Sequence, residues 1–433
     1  MFWHFLVIAT LSAALFASDA PRYDYSQGHS ACVEGIFGIV AAPALDSDRA
    51  VVTQPEKPLA GYSFYANSDY SSKVIHTAVP QFQREGKHDL ARQAARVASV
   101  PTFLWMSSRD SIQKLRPFAE EAQHLVRSGA KLLLPLVIYN LPDRDCGAKA
   151  SSGELRIADN GVDLYKTSFV DPIAATIKQF PELKFVLVIG TSTPEDLSGA
   201  CADGFAEPDS LGNLVSNINK TKCRNALEAH KESVSYALRT FDFPNVYTYV
   251  DGGNSGWWGF TMNMGPAAKL VGEVWRRAGR PRSFRGLATN TANYNAWSVT
   301  QCANYTQGSR NCDEKRYINA IAPLLRQEGT PAHFITDMGR SGVQPTGQWT
   351  WGDWCNALNT GFGLRPSTHT NDPLLDAWVW IKPGGESDGT SSVMAERFDP
   401  KCGQANAKQP APEAGQWFQE YFEQLLRNAN PPF

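Results

Sequence analysis

"KLLLPLVIYNLPDRDC" (residues 131–146) holds two statements in one line. Lys131–Ile138 is an apolar, branched run of strand length with no polar alternation, the pattern of a strand buried on both faces. Directly after it stand Tyr139, Asn140, Asp143, Arg144 and Asp145. The same order recurs along the chain. Further apolar runs lie at 100–106, 184–189, 245–250, 284–289, 333–336 and 377–381. Helical patterns fall between and after them, at 111–128, 162–180, 223–241, 266–278, 313–328 and 414–427. Strand alternating with helix is the signature of a parallel sheet, so the fold class is α/β. Seven such strands in one undivided domain predict a closed or nearly closed, TIM-barrel-like β/α barrel. Polar residues gather just past the strands: Asp251 and Asn254, Asn290, Asp337 and Arg340, then Lys382, Glu386 and Asp388. That end of a parallel barrel is where active sites sit.

Composition narrows the function. The chain has 433 residues, 42% hydrophobic and 19% charged, which supports a packed core. A net charge of −2 argues against a nucleic-acid partner, which would require a basic stripe. The start, "MFWHFLVIATLSAALFAS", is expected to be a secretory signal peptide over residues 1–17. No later run approaches the ~20 apolar residues of a membrane span, so no membrane partner is expected. Residues 18–60 lack periodicity and read as an irregular arm leading into a domain over 61–433. Eight cysteines in a secreted chain read as disulfides; neither a CxxC pair nor an HExxH motif occurs, and no metal or other cofactor is expected. Asn219-Lys-Thr and Asn304-Tyr-Thr are glycosylation sequons.

The third strand breaks the pattern. "FVLVIGTSTPEDLSGACADGFAEPDSLGNLV" (185–215) runs from its apolar core into Gly190 and a polar, Gly-containing stretch. Without residues 190–206 the text reads Val-Leu-Val-Ile-Glu-Pro-Asp-Ser-Leu, and acidic residues follow this strand as they follow others. Two readings stand: an unspliced in-frame intron, whose codons permit donor, branch and acceptor sites, or a true insertion in a surface loop, which loop-closure entropy tolerates.

"VIYNLPDRDCGAKASSG" (137–153) resembles the signature of glycoside hydrolase family 6, the inverting cellulases. "GRSGVQPTGQWTWGDWCNALNTGFGLRPS" (339–367) and "LLDAWVWIKPGGESDGTS" (374–391) are similar to its fungal cellobiohydrolases, as are "GLATNTANYNAW" and the closing "WFQEYFEQLLRNANPPF". The resemblance covers roughly residues 60–433. It implies a distorted seven-stranded parallel β/α barrel, a single catalytic domain acting on β-1,4-glucan such as cellulose and cello-oligosaccharides. It also implies a secreted monomer that releases cellobiose from the non-reducing end; the alternatives are an endo-1,4-β-glucanase of the same family, or a non-catalytic glucan-binding protein disabled by the 190–206 insertion.

Inverting hydrolysis needs an acid that protonates the leaving oxygen and an activated water on the opposite face of the sugar. The resemblance assigns the acid to Asp209, in the Glu-Pro-Asp-Ser-Leu segment beyond the interruption. Asp145 is the neighbouring carboxylate that raises its pKa. The base is open: Asp388 acting directly, or a water chain in which Ser151 positions the nucleophile and Asp145 receives the proton. Tyr139 is expected to press the reacting sugar out of its relaxed chair. Lys382 and Glu386 are expected to hold hydroxyls, Asn290 to contact substrate, and Arg340 to be structural. Trp105, Trp257 and Trp351 match the family's sugar-stacking positions. Asn254 and Phe260 depart from the family's common His and Trp, and the second departure weakens the case for capture of crystalline cellulose. No cellulose-binding module is expected, because the arm is poor in Cys and aromatics. Cys146–Cys223 and Cys355–Cys402 match the family's disulfides. Cys302 and Cys312 suit a local third bridge, which leaves Cys32 and Cys201.

Overall fold

The structure is a computed structural model that describes residues 57–145, 148–190, 220–306 and 308–433. Eight strands form one parallel sheet: β1 (Ser63–Phe64), β2 (Leu104–Met106), β3 (Leu132–Ile138), β4 (Lys184–Ile189), β5 (Val246–Asp251), β6 (Phe284–Thr289), β7 (His333–Asp337) and β8 (Leu375–Val379). They occupy seven positions, because β1 and β2 share the same neighbour. β1 pairs with Leu132 and Leu133 at the start of β3, and β2 with Leu136 to Ile138 at its end. The order then runs β3 through β8 in sequence. The seven expected strands are therefore present; β1, two residues long, is below what periodicity can detect. Among the described residues, no strand ladder closes the barrel. β2 and β8 are instead joined by Phe103 N–H donating to Trp380 O at 3.2 Å and Trp105 Nε1 donating to Ile381 O at 2.8 Å.

The apolar runs divide by alternation, as a pleated strand requires. Leu133, Val137, Val186, Val188, Tyr249, Ile335, Ala377 and Val379 pack on one another in one core cluster. Leu134, Leu136, Ile138, Phe185, Leu187, Ile189 and Phe334 belong to another, shared with the surrounding helices. Both faces of the sheet are thus buried, which explains why the runs show no polar face. Among the described residues, no helix is long and apolar enough to cross a membrane.

Two strands carry an extra residue. Thr248 pairs with Phe284 but Tyr249 with Gly286, so the register skips Arg285; likewise Asp376 is skipped between Phe334–Leu375 and Ile335–Ala377. A bulge turns the extra side chain out of the regular alternation. Here the two bulged residues meet: Arg285 Nη2 lies 3.0 Å from Asp376 Oδ2, both buried, and the Tyr249 hydroxyl donates to the same oxygen at 2.6 Å. Gly286 follows at φ +143°, where a Cβ would stand 2.1 Å from His333 O, so this position takes only glycine.

Removing one partner of a buried pair leaves the other charge poorly compensated. Asp376→Ala should lower the unfolding free energy by about 3–5 kcal/mol in urea denaturation. A loss below about 1 kcal/mol would show that the bulge pair contributes little.

Candidate active site

The polar residues expected past the strands converge at one end of the barrel. Asp145 stands at φ +52° and Asp143 at φ +53°, conformations that non-glycine residues adopt only when held. Arg144 does the holding. Its guanidinium lies 3.9 Å from the centre of the Tyr139 ring, and it donates to Ser107 O (2.7 Å), Tyr139 O (2.5 Å), Asn140 Oδ1 (3.3 Å) and Ser151 O (3.2 Å). The Tyr139 hydroxyl makes a short hydrogen bond to Asp145 Oδ2. Burial, and then the charge of Asp145, push the Tyr139 phenol well above its ordinary pKa, so it remains a donor.

Asp388 sits in the loop after β8. Its Oδ2 accepts from Arg340 Nη1 at 2.6 Å, from the Tyr294 hydroxyl at 2.9 Å and from the Asn356 amide at 2.9 Å. Lys382 Nζ lies 3.6 Å from the other oxygen. Burial would raise this carboxyl, but the Arg340 and Lys382 charges outweigh it and hold Asp388 below the usual carboxylate range. Arg340 also covers the Tyr294 ring at 4.3 Å.

A continuous series of contacts joins Asp145 to Asp388. Trp105, partly exposed, meets the Tyr139 ring edge-on at 5.1 Å, and the Lys382 ammonium lies 6.0 Å from the centre of the Trp105 ring. Ser151 enters this network through its backbone oxygen, which accepts from Arg144 Nε at 3.2 Å. Glu386 pairs with Lys73 at 2.7 Å.

Two expected contacts are engaged within the protein itself. Asn290 is fully buried, and its amide donates to Asp337 O (2.7 Å), Asn295 O (3.1 Å) and Ser341 Oγ (3.3 Å) while accepting from Asn295 N (3.0 Å). It fastens the loops after β6 and β7 to each other. Trp351 is 4% exposed: its ring covers Gly256, where a Cβ would stand 2.7 Å away, and its Nε1 donates to Asn295 Oδ1 at 2.8 Å. Trp257 is partly exposed on the loop that Trp351 supports. Asn254 shapes that loop, with Oδ1 accepting from Gly256 N at 2.8 Å, and Phe260 meets Trp351 edge-on at 5.8 Å.

Sequence reasoning singled out Asp337 only as one more polar residue after a strand. In the structure it is buried and accepts backbone N–H bonds from Gly339 (2.9 Å), Ala292 (3.0 Å) and Lys382 (3.0 Å), tying together the loops after β6, β7 and β8. The disulfides Cys355–Cys402 and Cys302–Cys312 are both formed. Asp209, Cys146, Cys32 and residues 191–206 lie outside the described residues, so the Cys146–Cys223 pairing does too; Gly190 follows β4, its N–H donating to Ile138 O.

The family described as "Glycosyl hydrolases family 6" matches residues 59–429. A probable 1,4-β-D-glucan cellobiohydrolase C of Neosartorya fischeri is 50% identical over 378 residues, 87% of this chain and 79% of that protein. The 1,4-β-D-glucan cellobiohydrolase C of Emericella nidulans is 48% identical over 383 residues, 88% and 80% of the two chains. The catalytic core of the cellobiohydrolase Cel6A from Chaetomium thermophilum superposes with a TM-score of 0.78 at 47% identity, covering 87% of this chain and 99% of that one. Cellobiohydrolase II (Cel6A) of Humicola insolens, solved with glucose and cellotetraose, gives 0.78 at 46% identity, covering 87% and 100%.

Because Asp388 is held below its ordinary pKa, the stability it supplies is full above an unfolded value of about 3.9 and is lost as pH falls through the lower folded value. Asp388→Asn should therefore flatten the acid limb of the stability–pH curve and cost about 3 kcal/mol near neutrality, measured by urea unfolding across the pH range. An unchanged acid limb would mean that Arg340 and Lys382 do not stabilise the charge.

Proposed function

The chain belongs to glycosyl hydrolases family 6, and from that premise we propose that it is a secreted, inverting 1,4-β-glucan cellobiohydrolase that releases cellobiose from the non-reducing end. The observation that carries this reading is the unbroken series Trp105, Tyr139, Asp145, Lys382, Asp388. It sets a partly exposed ring, which suits the C–H face of a pyranose, beside two buried carboxylates held by different partners.

In this proposal Asp209 is the acid. Asp145, a neighbouring carboxylate in a buried loop, keeps it protonated and balances positive charge that develops on the sugar ring. The Tyr139 phenol, locked as a donor, holds Asp145 in place. Asp388 already takes three hydrogen bonds on one oxygen and lies below the ordinary carboxylate pKa, so it is a weak proton acceptor. This favours the water-chain route, with Ser151 placing the nucleophile and Asp145 receiving its proton. Asp388 then serves as the fixed anion that orients Lys382 towards the sugar. The signal-like start supports export, and the cellotetraose complex of a relative supports a cello-oligosaccharide ligand.

Hydrolysis of cellotetraose followed by proton NMR tests the reading. The first product should be α-cellobiose, the inverted anomer. Accumulation of β-cellobiose first would end the inverting assignment, and rapid loss of viscosity in a soluble glucan would mark an endo-acting enzyme instead. Asp145→Asn and Asp209→Asn should each lower kcat by about 100-fold or more, and Trp105→Ala should act mainly on KM. The same assay on a chain lacking residues 190–206 separates the two readings of that stretch: activity only in the shortened chain marks the stretch as foreign.

A further inference from the structure

Glu314 is a buried carboxyl that none of the chemistry above uses. It opens the helix Glu314–Gln327 and is pinned there: its own N–H donates to Ala296 O at 3.0 Å, and the preceding Asp313 caps the helix by accepting from Arg316 N at 2.8 Å. Its side chain points to the aromatic loop after β5. Oε1 accepts from the Ser255 amide at 2.9 Å and from Asn295 Nδ2 at 2.9 Å. Asn295 completes the arrangement, donating also to Ser255 Oγ at 3.0 Å and accepting from Trp351 Nε1 at 2.8 Å. The Trp351 ring in turn lies under Gly256, the residue before Trp257. One carboxyl oxygen thus fastens the backbone on the near side of Trp257 and, through Asn295, the indole beneath it.

We propose that Glu314 is the positioning residue of the Trp257 sugar platform, setting the height and tilt of that ring through the Ser255 amide and the Asn295–Trp351 relay without touching the glucan. The inference rests on the reading of Trp257 as a glucan contact. Two physical points support it. The 251–260 loop is rich in glycine and would otherwise have many conformers, so a rigid acceptor at Ser255 removes an ordering cost from binding. Burial pushes the Glu314 carboxyl up to about 7, so in acid it is neutral and accepts on Oε1 without placing a charge under the loop. A glutamine has the same shape and the same acceptor oxygen.

The test compares Glu314→Leu, which fills the volume but cannot accept, with Glu314→Gln, which can, on the full chain with cellotetraose. Glu314→Leu should raise KM about 10-fold with kcat within about twofold, and should shift the intrinsic tryptophan emission. Glu314→Gln should restore both. Asn295→Ala, which cuts the relay to Trp351, should reproduce part of the KM rise and covers the case in which Glu314→Leu does not fold. In the Glu314→Leu background, Trp257→Ala should add less to KM than it does alone. Wild-type KM in Glu314→Leu (or, should it not fold, in Asn295→Ala), equal damage by Leu and Gln, or full additivity with Trp257→Ala overturns the proposal. If Trp257→Ala alone leaves KM unchanged, the platform reading has failed instead.

Discussion

Three backbone N–H groups, from three different loops, end on the two oxygens of Asp337. A parallel barrel presents the carboxyl ends of its strands side by side, and the segments leaving them carry backbone donors that burial would otherwise leave unpaired. Asp337 meets that demand for the loops after β6, β7 and β8. Those three loops supply Tyr294, Arg340, and Lys382 with Asp388, in that order, so the geometry around Asp388 depends on a side chain that need not touch a substrate. Burial raises the Asp337 carboxyl and the three amides pull it back, a balance expected of an anchor whose partners are all backbone.

The two described carboxylates at the site are held by different physics. Asp388 is surrounded by cations and a phenol, and its charge is stabilised where it stands. Asp145 lies in a left-handed backbone conformation with a buried phenol donating to it, and Arg144 is directed mainly at carbonyl oxygens. Arg144 is therefore a backbone clamp more than a counter-ion, at 3.7 Å from Asp145 Oδ2. The strain at Asp143 and Asp145 is offset by five interactions of a single guanidinium, which explains how a loop can hold a carboxylate in a conformation that it would not adopt alone.

Legibility varied by residue type. Seven strands were readable because both faces of the sheet are buried, which makes each strand a continuous apolar run. β1 was not, since two residues carry no period. The bulges at Arg285 and Asp376 were hidden for a related reason: one extra residue in a strand leaves no mark on composition, yet it redirects two charges to each other across the sheet. Trp351 and Trp257 look alike in sequence, both aromatic and both beside glycine. Their roles separate only when Gly256 is found against the Trp351 ring. Asn290 looked like a substrate contact because it follows a strand, but its amide is shared among the neighbouring loops.

From its amino acids alone, this protein's parallel α/β architecture, its family resemblance and the end of the barrel where its polar residues gather were all determined. Each rests on local pattern: apolar runs of strand length, helical periods between them, and polar residues just past the strand ends. The tertiary structure decided which of those polar residues face each other, and so which carboxylate is held ionised, which asparagine is a fastener and which tryptophan is a floor. Those properties belong to pairs of residues such as Arg340 with Asp388, Glu314 with Ser255 and Arg285 with Asp376. Their members are far apart in sequence, and their meeting is set by strand register and loop closure, quantities that no local window of sequence contains.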